Sequence, residues 1–221
     1  MKNAGNGVEE VLAGQPLSAQ PWLGDETLSA LTALNEQCLG LLVEEAAAHG
    51  PACAQPLLRD LAQLWSKLDA GALKRAAACP YLLLDTGFAD PSRWMWAHGH
   101  QVLERERGPA VPFFTLPRAS AVMRKVLTYG WHLAQSREAA ARLLLGMSAP
   151  CVKLVGSCTL SQLDDLAEKH PAWLQPRWPQ RVRIWRELLL AAIAGEGPSL
   201  QQVRLRGLQI LAAEARTGGA G

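Results

Sequence analysis

The sequence predicts an all-α protein, a helical domain built from two similar halves with short extended segments. Apolar residues recur at steps of three and four, as on the buried face of a helix. Glycines and prolines interrupt these stretches, and the order of several landmark residues repeats after about 90 positions. The 221 residues fit one large domain or two small ones and can bury a core without a disulfide or a metal.

The first half is predicted to span residues 25–107. It follows an arm, residues 1–24, that is rich in Gly, Asn, Gln and Pro and that we expect to be flexible. A helix should begin at Asp25, because Asp25 and Thr27 are both good caps, and should end near Gly50. Its apolar residues fall on one helical face: Leu28, Leu31, Leu34, Cys38, Leu41 and Leu42.

Three more elements complete the first half. Helices are predicted over residues 56–68 and 71–78, and a brief apolar run at residues 81–84 has the features of a strand or a buried extended segment. Asp90 precedes a proline and should begin a last helix, which ends near Gly108.

A proline-rich linker, residues 108–117, leads into the second half, residues 118–216. Two prolines interrupt residues 173–179, so this stretch cannot be a regular helix. Residues 217–221 are predicted to be a disordered tail. The predicted helices of the second half are residues 118–133, 137–145, 149–155, 160–169, 180–194 and, from a cap at Ser199, up to 215.

The two halves share an order of landmark residues. Each has a short amphipathic helix, a proline, an extended aromatic segment and a helix that begins near a tryptophan. Coincidence in a chain rich in Leu, Ala and Trp is the alternative; a true repeat makes the chain a fused pseudo-dimer. The first series is Leu73, Ala76, Ala77, Pro80, Leu82, Phe88 and Trp94, and the second is Leu163, Leu166, Ala167, Pro171, Trp173, Trp178 and Trp185.

Charge and cysteine usage indicate the compartment. The net charge of +2 creates no global field toward nucleic acid or membrane. The longest apolar runs fall far short of the roughly 20 residues that span a bilayer, so no membrane insertion is expected. The five cysteines form no C-x-x-C pair, which favours free thiols and a cytoplasmic location.

The sequence shows no assembled catalytic or cofactor site, and we predict a non-enzyme without cofactor or metal. His98 and His100 would diverge at i and i+2 of a helix and would chelate poorly. Phosphate-loop, dinucleotide and nucleophile-elbow fingerprints are missing. An enzyme stays the third alternative, because a catalytic triad can assemble across a fold.

One local patch favours nucleic acid. Arginine suits phosphate forks and stacking, and four arginines with two interleaved tryptophans lie between positions 177 and 186. The alternative is a solvated helix face above core tryptophans. The DNA-binding candidates are Arg177, Arg181, Arg183 and Arg186.

Eight tryptophans are many for this length, and tryptophan anchors interfaces as well as cores. Trp94 and Trp96 are two residues apart in one helix, so they should not both face the same core. The candidates for binding a protein partner are Trp94, Trp96 and Trp178.

Several stretches of residues 134–178 carry a family resemblance. They are Ala141-Arg142-Leu143-Leu144-Leu145-Gly146-Met147, Thr159-Leu160-Ser161-Gln162, Leu166-Ala167-Glu168 and Pro176-Arg177-Trp178, with Trp185 beyond. Together they resemble the core of the FlhD-type flagellar transcriptional regulators. Residues 80–94 carry a fainter version, so the two halves resemble two FlhD-like copies.

The resemblance implies a small helical protein that dimerises and joins a zinc-binding partner of the FlhC type. That complex binds promoter DNA and activates transcription, and a tandem repeat would be the dimer fused into one chain. The chain departs from the family in being about twice the usual length and in having no cysteine that matches an intersubunit bridge.

We therefore expect a transcriptional regulator or co-regulator for motility or secretion genes. It would act with an FlhC-like protein partner as a homo- or hetero-oligomer, and would contact DNA only within that complex. The alternative is a helical adaptor, chaperone or scaffold of a secretion or motility assembly that binds protein only.

Overall fold

The computed structural model describes residues 24–50, 53–99, 111–115 and 117–217. Within these ranges the all-α prediction is confirmed, with eleven α-helices and one pair of two-residue strands. The predicted arm up to residue 23, residues 100–110 and the tail after residue 217 lie outside the described residues, so the expected flexibility of the arm and tail stays a prediction.

The described residues of the first half form five helices and one strand. Asp90 caps its last helix as predicted, since its carboxylate accepts a hydrogen bond from Ser92 N at 3.1 Å. The single helix predicted over 56–68 is instead two short ones, because Leu61 leaves helical geometry (φ −113°, ψ 13°). The elements are α1 Asp25–His49, α2 Pro56–Arg59, α3 Ala62–Trp65, α4 Ala70–Ala77, β1 Leu84–Asp85 and α5 Pro91–Ala97.

The second half contains six helices, a 3-10 turn at Pro171–Trp173 and one strand. Thr159 and Gln162 form a capping box that begins α9. Ser148 caps α8 by accepting a hydrogen bond from Cys151 N. The elements are α6 Ala119–Ser136, α7 Glu138–Leu145, α8 Ala149–Gly156, α9 Leu160–Lys169, β2 Gln175–Pro176, α10 Val182–Ala194 and α11 Pro198–Thr217.

The strand pair has the register of a local two-fold axis. Leu84 pairs with Pro176, and Asp85 pairs with Gln175. A shift of 91 positions carries Leu84 onto Gln175 and Asp85 onto Pro176. Each residue therefore pairs with the counterpart of its neighbour, as in an isologous dimer contact.

The backbone after each strand shows the same correspondence between the halves after a shift of 91 positions. Gly87 has φ 78° and Trp178, which is 91 positions later, has φ 52°, so the structure aligns Trp178 with Gly87 and not with Phe88 as the landmark series did. Among the described residues, Trp178 is the one non-glycine with positive φ. A bulky residue in this region is costly, so surrounding contacts must hold it there.

Helices of the two halves are interlocked around one core. Within each half α4 packs on α1, and correspondingly α9 packs on α6. Across the halves α1 packs on α6, α5 packs on α8, and α10 packs on α2, α3 and α4. The buried apolar residues form one cluster that includes both halves, so neither half closes a core by itself.

A buried asparagine ties α1 to the extended segment before β1. Asn35 is fully buried, and its Nδ2 donates to the carbonyl oxygens of Ala77 and Tyr81, each at 3.0 Å. Its Oδ1 accepts a hydrogen bond from Leu83 N at 2.8 Å. The side chain thereby satisfies backbone groups that no helix or sheet serves.

The described part of the proline-rich linker packs against the core. Phe113 and Phe114 are buried and form an edge-to-face pair with centroids 5.1 Å apart. Thr115 Oγ1 donates to Glu45 Oε2 at 3.0 Å, and Glu45 itself is buried on α1. Residues 111–115 are therefore a packed connection.

Candidate nucleic-acid interface

Arg177 is not a DNA contact, so this prediction is wrong. Its side chain is 6% exposed, and its Nε donates to Leu82 O at 2.7 Å. Its Nη2 donates to Leu84 O at 3.1 Å and to Leu145 O at 2.8 Å. Burial lowers the pKa of Arg177, and the charge of Asp85 acts in the opposite direction. The guanidinium satisfies carbonyl groups where the halves meet, a role that local spacing does not reveal.

Trp94 does not face a partner either, and that prediction is also wrong. It is fully buried, its ring stacks on Phe88 at 5.8 Å, and its Nε1 donates to Gly87 O at 3.0 Å. Trp96 is half-buried and lies edge-to-face with His170, with ring centroids 4.6 Å apart, beside a shallow cavity of 260 Å³. Of the two, only Trp96 retains accessible surface.

Trp178 is held by α11. Its Nε1 donates to Glu214 Oε2 at 2.8 Å, and its ring lies 5.7 Å from that of Tyr81. Glu214 also pairs with Arg181, whose Nη2 lies 2.9 Å from Glu214 Oε1. These contacts stabilise the positive φ of Trp178 and occupy its polar edge.

Arg183 and Arg206 share one carboxylate on the exposed side of α10. Arg183 Nε lies 2.8 Å from Glu187 Oε1, and Arg206 Nη1 lies 2.8 Å from Glu187 Oε2. The hydrogen bond from Arg183 is the main cause that lowers the pKa of Glu187. The Arg183 side chain is 80% exposed and the Arg206 side chain 52%, so both guanidiniums remain open to solvent.

A neighbouring groove of 620 Å³ lies between α10 and the helices α2 and α3. Its cationic lining is Arg59, Lys67 and Arg186. Arg59 pairs with Asp60 at 2.9 Å, whereas Lys67 and Arg186 form no ion pair with any described residue. The packing of α10 on α2 and α3 brings Arg59 and Lys67 to Arg186, and no local pattern in the sequence marked either residue.

These residues form what we name the basic face. It has five cationic side chains against two carboxylates, a local charge of +3, whereas the net charge of the whole chain is +2. A concentrated positive field of this kind attracts polyanions. Its members are Arg59, Asp60, Lys67, Arg183, Arg186, Glu187 and Arg206.

The structure also brings one histidine to a cysteine. His98 Nε2 lies 3.5 Å from Cys158 Sγ and 2.8 Å from Leu154 O. Burial raises the pKa of Cys158 to about 11, so the thiol is protonated at neutral pH and is a poor nucleophile. No group of three His, Cys, Asp or Glu residues in the described ranges is placed to hold a metal ion.

Among the described helices, none is both long and apolar enough to cross a membrane by itself. α7 and α8 meet the length and composition criteria only as a pair, and they are bent by 116° at the break between them.

No protein-family model, curated protein or solved structure matches the chain. The resemblance of residues 134–178 to FlhD-type regulators therefore stays a hypothesis based on the residues alone. The function has to be argued from the geometry and charge of the basic face.

Proposed function

We propose that the chain is a non-catalytic transcriptional regulator or co-regulator that contacts DNA phosphates with its basic face. The observation that carries the proposal is the local charge of +3 on the basic face, which α10 forms together with residues of α2, α11 and the turns beside α3. Phosphate contacts use exposed Arg and Lys and require no pocket chemistry. The resemblance to FlhD-type regulators supports promoters of motility or secretion genes and an FlhC-like protein partner.

Arg183 and Arg186 are the primary contacts in this proposal. They lie three residues apart on α10, about one helical turn, so they reach neighbouring phosphates. Across the 620 Å³ groove, Arg59 and Lys67 extend the same positive surface. Arg181 is half exposed but tied to Glu214, so we assign it a secondary role.

The test is a crosslinked pull-down from the organism that encodes the protein, with bound DNA and proteins both sequenced. Wild type is compared with Arg183→Ala/Arg186→Ala and with a control, Arg142→Ala/Lys153→Ala, which removes two exposed cations from α7 and α8. We expect wild type and control to enrich discrete promoter fragments, and the basic-face variant to lose them while keeping its protein partner.

A salt titration of the recovered complex adds a physical signature. Each lost phosphate contact should reduce the slope of log affinity against log salt by about 0.9, so the basic-face variant should lose about 2. Only background DNA with wild type, or equal DNA recovery with all three proteins, would refute the proposal.

A protein-only adaptor, chaperone or scaffold is the second candidate. It is favoured by Leu190, which is 50% exposed and lines the 620 Å³ groove, because phosphate binding makes no use of an exposed leucine. In the same pull-down, enrichment of protein partners with only background DNA would identify the adaptor.

A further inference from the structure

A second groove, which we name the hairpin groove, lies between α10 and α11 and has a volume of 490 Å³. It is lined along α10 from Glu187 to Ala194 and along α11 from Ser199 to Arg206, about two helical turns on each side. Its floor and walls are largely apolar: Leu190, Ala191, Ala194 and Val203.

The hairpin groove has the shape of a helix-binding site. Ala191 is only 8% exposed and forms the floor, while Leu190 is 50% exposed and stands at the edge. The small residues Ala191 and Ala194 permit close approach of another backbone. The groove is two helical turns long, so it accommodates a helix whose apolar anchor residues lie at positions i, i+3 or i+4, and i+7.

The charge at the rim selects the partner. Arg183 and Arg206 meet at the single carboxylate of Glu187, so the rim is cationic in balance. Each guanidinium has five N–H donors and uses one on Glu187 in these contacts, which leaves donors directed at solvent. A carboxylate on an incoming helix can accept them in a fork geometry.

We infer that the hairpin groove binds an amphipathic helix of a partner protein, with apolar anchors about one turn apart flanked by Asp or Glu. The inference goes beyond the proposed DNA contact and does not rest on it, because the apolar floor of the groove plays no part in phosphate binding, although Arg183 and Arg206 at its rim also belong to the basic face. A basic helix would be repelled by the rim, and a neutral one would leave the guanidinium donors unused.

The test is selection from a display library of random helix-forming peptides, roughly 15 residues long, on the full chain. Enriched peptides should combine spaced apolar anchors with acidic flanks. Their affinity should fall at least about tenfold for Ala194→Glu and for Leu190→Glu. Ala139→Glu on α7 and Leu205→Glu on α11 are the matched controls, because these residues are also exposed but line neither groove.

Helical content and thermal midpoint are measured for every variant. Ala194 is exposed and lines only the hairpin groove, so Ala194→Glu decides the outcome if Leu190→Glu fails to fold.

The inference is overturned by a selection that yields no helical consensus, by enriched peptides with basic flanks, or by peptides that bind Ala194→Glu as well as wild type. It is also overturned if Ala194→Glu abolishes self-association in sedimentation, which would assign the groove to a second copy of this chain. No DNA is present, so the result is independent of the proposed function.

Discussion

Arg177 and Leu82 are 95 residues apart in the chain and are joined by a 2.7 Å hydrogen bond from Nε to the carbonyl oxygen. The bond crosses from one half to the other beside the strand pair. The same guanidinium binds Leu84 O and Leu145 O, so one side chain serves three buried carbonyl groups. The sequence pattern predicted an exposed position for Arg177, whereas its side chain joins the two halves through hydrogen bonds.

Replacing Arg177 with alanine should lower the free energy of unfolding by about 3 kcal/mol. Each buried acceptor left unsatisfied costs about 1–3 kcal/mol, and removing a buried charge recovers part of that loss. Urea unfolding followed by circular dichroism measures the change. Arg142→Ala, at an exposed position on α7, is the control and should stay within about 0.5 kcal/mol of wild type. A stability of Arg177→Ala equal to that control would refute the structural role.

Gly130→Ala should destabilise the protein although alanine is the better helix former. A Cβ at position 130 would lie 2.6 Å from Phe88 Cζ and 3.0 Å from Met147 Cε. The helix-propensity gain is about 1 kcal/mol, while overpacking against a buried ring costs about 1–3 kcal/mol, so the clash should win. The measurement is the thermal midpoint. Gly156→Ala, whose Cβ would meet Ala134 at an ordinary 3.6 Å, should not lower it.

The buried thiols should make the protein less stable in alkali. Burial raises the pKa of Cys151 and of Cys158 from 9.0 to about 11. Above pH 9.0 the thiols of the unfolded chain release protons that the folded protein retains. The contribution of these two thiols to the free energy of unfolding is therefore fully present below pH 9.0 and is lost as the pH rises toward 11. Urea midpoints across this window measure the slope. Cys151→Ala/Cys158→Ala should make the slope shallower without abolishing it, because burial also raises the pKa of Cys38 and Cys79. A slope as steep as that of wild type would show that other groups cause it.

Local signals predicted the helix limits well where a cap or a break sets them. The helix predicted over 160–169 is observed as Leu160–Lys169, because Thr159 and Gln162 cap it within four residues of sequence. α1 begins at the predicted Asp25, but its N-cap position is Gly24 and no side chain caps it, so the predicted capping by Asp25 or Thr27 is wrong. The prediction failed for residues 56–68, where the backbone breaks at Leu61 and the indole of Trp65 donates to Leu57 O at 3.1 Å.

The candidate site was less predictable, because distant residues decide which side chains are exposed. Arg177 is buried by carbonyl groups that include Leu82 O, and Trp94 is buried against a ring of the other half, Trp173, at 6.1 Å. Arg183 and Arg186 are exposed because the apolar spacing of α10 turns Trp185, Leu188 and Leu189 inward, which the sequence does show. Arg59 and Lys67 line the 620 Å³ groove together with Arg186 because α10 packs on helices of the first half. The local spacing of residues does not predict this packing.

The interlocked halves should fold only together. Without the first half, β2 loses its partner strand, α10 loses its packing on α2, α3 and α4, and Arg177 loses two of its three carbonyl acceptors. We therefore expect a chain that begins at Pro109 to show no cooperative melting by itself.

Co-expression with residues 1–108 should give a soluble one-to-one complex whose melting is cooperative, measured by circular dichroism and native mass spectrometry. Arg177→Ala in the second fragment should weaken this complex more than Arg142→Ala does, because the Arg177 side chain donates to Leu82 O of the first half, whereas Arg142 is exposed on α7. A second fragment that melts cooperatively without the first would show that the halves are independent domains.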